Sequence, residues 1–242
     1  MRSSTWESGN SAMAAKTFAT GPTMISNCSC AGGGCSIDRA GGVDASWSTD
    51  LTALVFVFPP FDHGEIWTVL PFFWMPQERV PELERVCRVP YSSWIARKFI
   101  TATPGSVIDQ WLVLERIRWG REMFELREVP YDRFNFRTEA MNLIDEGIQA
   151  VEIQQGFLHL SHATKFLLGA YLDQKIRHGN NPVFNWMASC LQLQYDHKDN
   201  CQPTKPERGK SAKRIDGIAA TVTAVTRALV AGPPPVTKIE VW

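Results

Sequence analysis

The sequence predicts an α/β domain built on a mixed sheet, and three features support this class. Apolar segments of strand length, separated by short polar turns, lie between residues 42 and 73. Beyond them, amphipathic segments of helix length alternate with short strand-like ones. The 242 residues, 44% of them hydrophobic, can fill one large core. An antiparallel three-strand start followed by alternating helices and strands is typical of a mixed sheet flanked by helices.

The first three strands are predicted over residues 42–45, 51–58 and 65–73. The polar stretch 46–50 is short enough to turn the chain back between the first two strands. These three segments therefore predict an antiparallel meander.

Helices and strands are predicted to alternate from residue 77 onward. Helical periodicity over 77–98 is interrupted at Pro90, because proline cannot continue a helix. The later elements are, in chain order, helix 107–120 ending at Gly120, strand 126–131, helix 138–146, strand 150–153, helix 161–177 with Leu172 among its buried positions, a turn of helix and a strand within 182–193, and a polar loop over 198–214. A last amphipathic helix follows, which Ser211 can cap and whose apolar stripe begins at Ile215.

The two ends of the chain differ from this pattern. Residues 1–36 are rich in Ser and Gly and show no apolar period, which predicts a disordered leader. The folded domain is expected over 37–232, and 233–242 forms a Pro-rich tail.

Charge and apolar runs exclude some classes of protein. The 25 basic and 25 acidic residues cancel, so the whole surface is not built to bind nucleic acid, although a local basic patch is compatible with this balance. No apolar run approaches the roughly 20 residues of a membrane helix. The cysteine spacing fits neither a zinc knuckle nor a disulfide framework. We therefore expect a soluble intracellular protein with free thiols and no membrane partner.

Three aspartates lie at or next to predicted strands and a helix start, where their carboxylates could converge. Asp44 lies in the first strand, Asp132 directly follows strand 126–131, and Asp216 falls in the first turn of the last helix. Carboxylates that converge at one sheet edge repel one another, and such clusters persist mainly when a divalent cation neutralises them. Two Mg²⁺ or Mn²⁺ ions in such a cluster would suit phosphodiester hydrolysis. On spacing alone, solvated carboxylates remain the more frequent case.

Eight segments, in this order, resemble the C-terminal nuclease domain of the large terminase subunit of tailed phages. They are GGVDASWSTDLTALVFVFP, PFFWMP, VPYSSW, TATPGSVID, YDRFN, QGFLHLS, KIRHGNNPVFNWMAS and KRIDGIAA. The resemblance covers about residues 40–231. It implies an RNase H-like fold, metal-dependent cutting of concatemeric double-stranded phage DNA during packaging, and a location in the host cytoplasm. The portal protein and the small terminase subunit are the other partners it suggests.

The resemblance also implies roles for the three aspartates. The metal-binding aspartate of the family's first strand matches Asp44 in GGVDAS, the one after its central strand matches Asp132 in YDRFN, and its late aspartate matches Asp216 in RIDG. All three are therefore expected to be catalytic metal ligands.

Other residues near these motifs have two interpretations each. Asp50 either closes the first turn, which we favour, or orients a ligand, and Asp109 is expected to cap the helix that follows it. Arg177 and His178 either face DNA phosphate or steady the metal site, although a lone histidine is more often structural. A basic run before Asp216 either is solvated or contacts phosphate, and its members are Lys205, Lys210, Lys213 and Arg214.

Some features depart from the family pattern. Trp47, the Arg133–Phe134 pair and Cys190 stand where the family usually has other residues. No G-x-x-x-x-G-K-[ST] loop occurs, so the family's ATPase domain is expected to be missing from this chain. Two alternatives remain open: a non-catalytic prophage remnant or assembly module that docks on the portal or the small subunit, and another RNase H-like enzyme such as a transposase or a junction resolvase.

Overall fold

The computed structural model describes most of the predicted domain. The described residues are 39–44, 51–60, 64–124, 126–206 and 212–231, and for 39–44, 127, 133–135 and 231 the backbone alone is described. The predicted leader, the turn 46–50 and the Pro-rich tail lie outside these residues. None of the described helices is long and apolar enough to cross a membrane.

Seven strands of the described part of the chain form the main sheet. They are β1 (Arg39–Asp44), β2 (Thr52–Phe58), β3 (Trp67–Pro76), β4 (Thr101–Thr103), β5 (Leu126–Tyr131), β6 (Gln149–Glu152) and β7 (Ile176–Arg177). Their order is β4-β3-β2-β1-β5-β6, with β7 paired to β3. The first three strands are mutually antiparallel, whereas β1, β5 and β6 are parallel to one another. The predicted mixed sheet with an antiparallel start is therefore confirmed.

Within the described ranges, seven α-helices surround the sheet. They are α1 (Val80–Cys87), α2 (Tyr91–Ala96), α3 (Gln110–Phe124), α4 (Arg133–Asp145), α5 (Phe157–Leu172), α6 (Pro182–Cys190) and α7 (Asp216–Ala231). Helices α3 and α4 share one hydrophobic core with the sheet, while α5, α6 and α7 share a second core on its other face. Strand β2 is buried almost throughout, because its alternate side chains enter both cores.

Helix α3 corrects the prediction of a helix ending at Gly120. The helix starts at Gln110 and continues to Phe124, so Gly120 lies inside it. A Cβ at this position would meet the ring of Phe56, 2.7 Å from its Cε1 atom. The glycine is therefore required for close packing of the helix on β2 rather than for ending the helix.

Two predictions in the second half of the chain are wrong in part. Helix α5 ends at Leu172, whose side chain is 69% exposed rather than buried, and the chain then forms β7. The polar loop predicted over 198–214 contains a strand, β9 (Cys201–Thr204), which pairs antiparallel with β8 (Gln192–Tyr195). The backbone N–H of Cys201 donates to Oγ of Ser161 at 3.1 Å, which attaches this hairpin to α5.

The described cysteines agree with the expectation of free thiols. Cys87, Cys190 and Cys201 are not in disulfides, and the last two are buried. Burial raises the pKa of the Cys190 and Cys201 thiols, so both stay protonated.

Candidate metal centre

Asp44 and Asp132 lie side by side at one edge of the sheet. Strands β1 and β5 run parallel, and Val43 pairs with Tyr131 near their carboxyl ends. The next residue along each chain is an aspartate. Since neighbouring strands lie about 4.8 Å apart, the backbones of Asp44 and Asp132 are neighbours across the strand pair.

Asp216 begins α7, which packs across β1 and β2 on one face of the sheet. Asp44, Ala53 and Phe73 form one cross-strand row at this edge. The residue after Asp216, Gly217, approaches the ring of Phe73 so closely that a Cβ there would stand 2.9 Å from Cε1. The start of α7 therefore lies over the row that contains Asp44, and the side chain of Asp216 is only 9% exposed.

Helix α7 is held at both ends. The backbone N–H of Gly217 donates to Sδ of Met187 in α6, at 3.1 Å. Near the other end, the guanidinium of Arg227 donates to both carboxylate oxygens of Glu128 in β5, at 2.6 and 3.0 Å. Two parallel hydrogen bonds of this kind fix the orientation of the guanidinium relative to the carboxylate as well as the distance between them. These contacts set the position of α7 over the central strands.

Tyr91 is a neutral neighbour of Asp216 that the sequence did not indicate. Its side chain is 1% exposed. Burial is the largest cause that raises its pKa far above the usual value, followed by Cys87, with which it shares a hydrogen bond. The charge of Asp216 also raises it, while Arg214 lowers it. The phenol of Tyr91 therefore stays protonated.

The basic residues predicted near Asp216 fall into different environments. Arg214 is buried, Lys213 is exposed and Lys205 is half-buried after β9. Lys210 and Asp50 lie outside the described residues. Lys213 and Arg214 are thus attached to the same edge as Asp216 through the short segment before α7.

Arg177, in β7, and His178, directly after it, lie away from the sheet edge that carries the aspartates. Arg177 pairs with Thr68, which pairs in turn with Phe58 at the far end of β2, whereas Asp44 pairs with Ala53. Five positions along a strand span about 16 Å. The register therefore gives no support to a role of Arg177 in steadying the carboxylates.

The surroundings of His178 are those of a structural side chain. Its ring packs against Phe184 with centroids 4.9 Å apart. Burial lowers the pKa of its imidazole, which is consequently neutral near pH 7. Asp109 behaves as its predicted cap, since its Oδ1 accepts from the N–H of Trp111 in the first turn of α3 at 3.0 Å.

The donor set at this edge suits a hard divalent cation. Three carboxylates are carried by two adjacent strand ends and one helix start. Oxygen ligands of this kind are those that Mg²⁺ and Mn²⁺ prefer. Among the side chains that the structure describes, which exclude that of Asp44, no three acidic, histidine or cysteine residues form a metal-binding group.

The fold defines a class of protein. A mixed sheet with strand order β3-β2-β1-β5-β6 and helices on both faces is the RNase H-like arrangement of terminase nuclease structures. The chain belongs to the family of terminase large subunit endonuclease domains, whose model matches residues 36–231.

Two curated proteins resemble the chain in sequence. It is 33% identical over 187 residues to the large terminase subunit of Enterobacteria phage HK97, a match that covers 76% of this chain and 36% of that protein. It is 26% identical over 167 residues to protein YmfN of Escherichia coli strain K12, covering 67% of this chain and 36% of that protein. The chain thus spans about a third of the length of these relatives.

Solved structures agree with the fold. The crystal structure of the HK97 bacteriophage large terminase superposes with a TM-score of 0.70 at 30% identity, over 79% of this chain and 39% of that one. The large terminase nuclease of thermophilic phage G20c with bound magnesium superposes with a TM-score of 0.51 at 9% identity, over 80% and 83% of the two chains. The second likeness concerns the fold alone.

Sequence reasoning named the three aspartates but missed the residues in close contact at the start of α7. Gly217 stands in the quoted motif RIDG, and Met187 in NWMAS. Neither carries a reactive group, so only the contact between α6, α7 and β3 reveals them.

Proposed function

We propose that this protein is a divalent-metal-dependent endonuclease that cuts double-stranded DNA during phage genome packaging. Asp44, Asp132 and Asp216 are the proposed ligands of two Mg²⁺ or Mn²⁺ ions. The observation that carries the proposal is the parallel pairing of Val43 with Tyr131, which makes Asp44 and Asp132 neighbours beneath the start of α7.

The three carboxylates would have one common task. They would hold the ions next to the DNA backbone, where bound divalent cations would supply water activation and charge stabilisation for phosphodiester hydrolysis. The burial of Asp216 strengthens its attraction for a cation, because water screens it less. The G20c nuclease that shares this fold was crystallised with magnesium, which supports the choice of ion.

Basic side chains would hold the DNA backbone. Lys213 and Arg214 immediately precede Asp216, so phosphate bound by them lies next to the proposed ions. Lys205 and Lys210 belong to the same basic run. Phosphate contacts carry no sequence information, and cutting is therefore expected to show little sequence preference.

Membership in the terminase family supports a cellular location and partners for this activity. Terminases act on phage DNA, so the cytoplasm of the bacterial host is the proposed location. The portal protein and the small terminase subunit are proposed as further partners of the complete packaging machinery.

The proposal is tested by incubating the purified chain with supercoiled plasmid and Mn²⁺ or Mg²⁺. Variants D44N, D132N and D216N are each expected to reduce cleavage by about 100-fold or more, the scale of losing a major electrostatic element of an active site. D145N serves as the matched control, because Asp145 is an exposed aspartate at the end of α4.

Cleavage by the wild type that the three variants lose and D145N keeps would support the assignment. Equal cleavage by wild type and D44N would refute it. A wild type that cuts nothing with any divalent ion, yet is retained by portal protein in EDTA, would favour the non-catalytic alternative. Cleavage confined to branched DNA would favour a resolvase-like enzyme.

A further inference from the structure

The first turn of α7 approaches the sheet more closely than a side chain would permit. A Cβ built on Gly217 would stand 2.9 Å from Cε1 and 3.1 Å from Cζ of Phe73, and 3.1 Å from Sδ of Met187. Real Cβ atoms essentially never come within 3.0 Å of a non-bonded heavy atom from another part of the chain. Any residue other than glycine at this position therefore forces a displacement.

The neighbours have little freedom to move away. Phe73 is 2% exposed, and its strand pairs with β2 on either side of this position. Met187 is fully buried, and its sulfur also accepts the N–H of Gly217 at 3.1 Å. Because buried cores are close-packed, the easier response is an outward shift of the start of α7.

Such a shift would act directly on Asp216, the residue before Gly217. Asp216 is the first residue of α7, and its side chain is buried over the sheet edge. Functional groups must be held to within about 0.5 Å of their productive geometry. A displacement of a few tenths of an ångström at Gly217 is of the same order as that tolerance.

We propose that Gly217, Phe73 and Met187 form a positioning contact that sets the place of Asp216, so that residue 217 governs metal affinity and not only stability. The inference rests on the proposed function, because it assumes that Asp216 binds metal. These three residues are positioning residues, since none of them is proposed to touch the ion or the DNA.

The molecule contains a matched control for this contact. Gly120 is also a helical glycine pressed against a phenylalanine of the sheet, but it meets Phe56 on the opposite face. A Cβ on Gly120 would lie at least as close to the ring of Phe56 as a Cβ on Gly217 would lie to the ring of Phe73. G120A should therefore destabilise the fold through the same kind of clash while leaving the start of α7 in place.

The test measures Mn²⁺ binding by titration calorimetry and thermal unfolding without metal, on the full chain. G217A is expected to weaken Mn²⁺ binding by about 10-fold or more, as disturbance of supporting residues does in other metal sites. G120A is expected to lower the unfolding temperature without changing the Mn²⁺ affinity. In the G217A background, F73L removes the ring edge and should restore affinity toward that of the wild type.

A further variant, M187L, keeps the core volume while removing the sulfur acceptor of the Gly217 N–H. Volume-conserving substitutions of this kind are well tolerated. If G217A does not fold, the Mn²⁺ affinity of M187L therefore tests the positioning contact instead. M187L is expected to weaken Mn²⁺ binding by a smaller factor than G217A.

D216N separates this inference from the proposed function. If D216N binds Mn²⁺ as tightly as the wild type, the ligand assignment fails and the positioning contact with it. If D216N loses binding but G217A keeps wild-type affinity, the positioning inference alone is overturned. Equal loss of affinity in G217A and G120A would also overturn it, because the effect would then be general destabilisation.

Discussion

The two faces of the sheet are packed in different ways. On one face, α7 contributes small buried residues, among them Ala220 and Ala224, and its backbone lies close to β1 and β2. On the other face, α3 meets a cluster of aromatic rings whose members are Phe56, Phe58, Phe72, Trp119 and Phe124. The proposed metal ligand Asp216 belongs to the first face.

This difference separates the residues that position α7 from the residues that mainly stabilise the fold. Small residues allow a helix backbone to approach the sheet, so the start of α7 is held at a defined distance from the strand ends. Aromatic rings bury large areas and tolerate edge-to-face geometries, and they contribute to the stability of the fold. Changes on the α3 face should therefore affect stability, and changes at the start of α7 should affect metal binding.

The largest effect is expected for Phe56→Ala, at the centre of the aromatic cluster. Phe56 is 1% exposed, and deleting a buried phenylalanine ring costs about 3–5 kcal/mol. Urea unfolding should report this loss, while Mn²⁺ affinity under native conditions stays unchanged. A large loss of affinity in the folded variant would show that the two faces are not separable.

A smaller effect is expected for Arg227→Met, at the end of α7 far from Asp216. The variant removes two charge-assisted hydrogen bonds to a partly buried Glu128, which predicts a loss of about 1–2 kcal/mol. Glu128→Gln in the Arg227→Met background should add little, because the pair acts as a unit. Additive losses in a double-mutant cycle would contradict the coupling.

Arg116→Gln should have a still smaller effect on the α3 face. The guanidinium carbon of Arg116 lies 4.7 Å from the ring centroid of Phe72 and 4.9 Å from that of Trp119. Cation–π contacts of this exposure contribute about 0.5–1 kcal/mol, and thermal unfolding at low and high salt would measure the loss. An unchanged or raised melting temperature would exclude a stabilising role.

The smallest effect concerns pH and the β8–β9 hairpin, outside both faces. The side-chain amide of Asn200 holds the pKa of Asp196 below its usual value, and the backbone N–H groups of Asn200 and Lys198 add to this. Because the folded pKa is depressed, the contribution to stability exists above the unfolded pKa of about 3.9 and is lost as the pH falls. The stability advantage of the wild type over D196N should therefore shrink on acidification through that range, and an advantage that grows would contradict this account.

The sequence predicted what depends on local pattern. The strand 126–131 has the predicted bounds, and Asp132 follows it as expected. Asp109 caps α3 because its side chain reaches an N–H only two residues away. The RNase H-like fold was accessible through quoted motifs, since those motifs are spread over the whole sheet.

What the sequence did not predict depends on contacts between distant segments. A glycine that ends a helix and one that makes room for a ring look alike in sequence, so the local pattern predicts a helix end at Gly120. The polar strand β9 forms only because β8 and Ser161 offer partners to its backbone. The separation of Arg177 from Asp44 depends on the register of three successive strand pairings, which no local pattern encodes.

A crystal of the protein soaked in Mn²⁺ and measured at the manganese absorption edge tests the central claim most directly. The account predicts anomalous peaks at the carboxyl ends of β1 and β5, with oxygens of Asp44, Asp132 and Asp216 about 2.1 Å from an ion. Peaks located elsewhere, or an Asp216 carboxylate directed away from the ends of these strands, would contradict it.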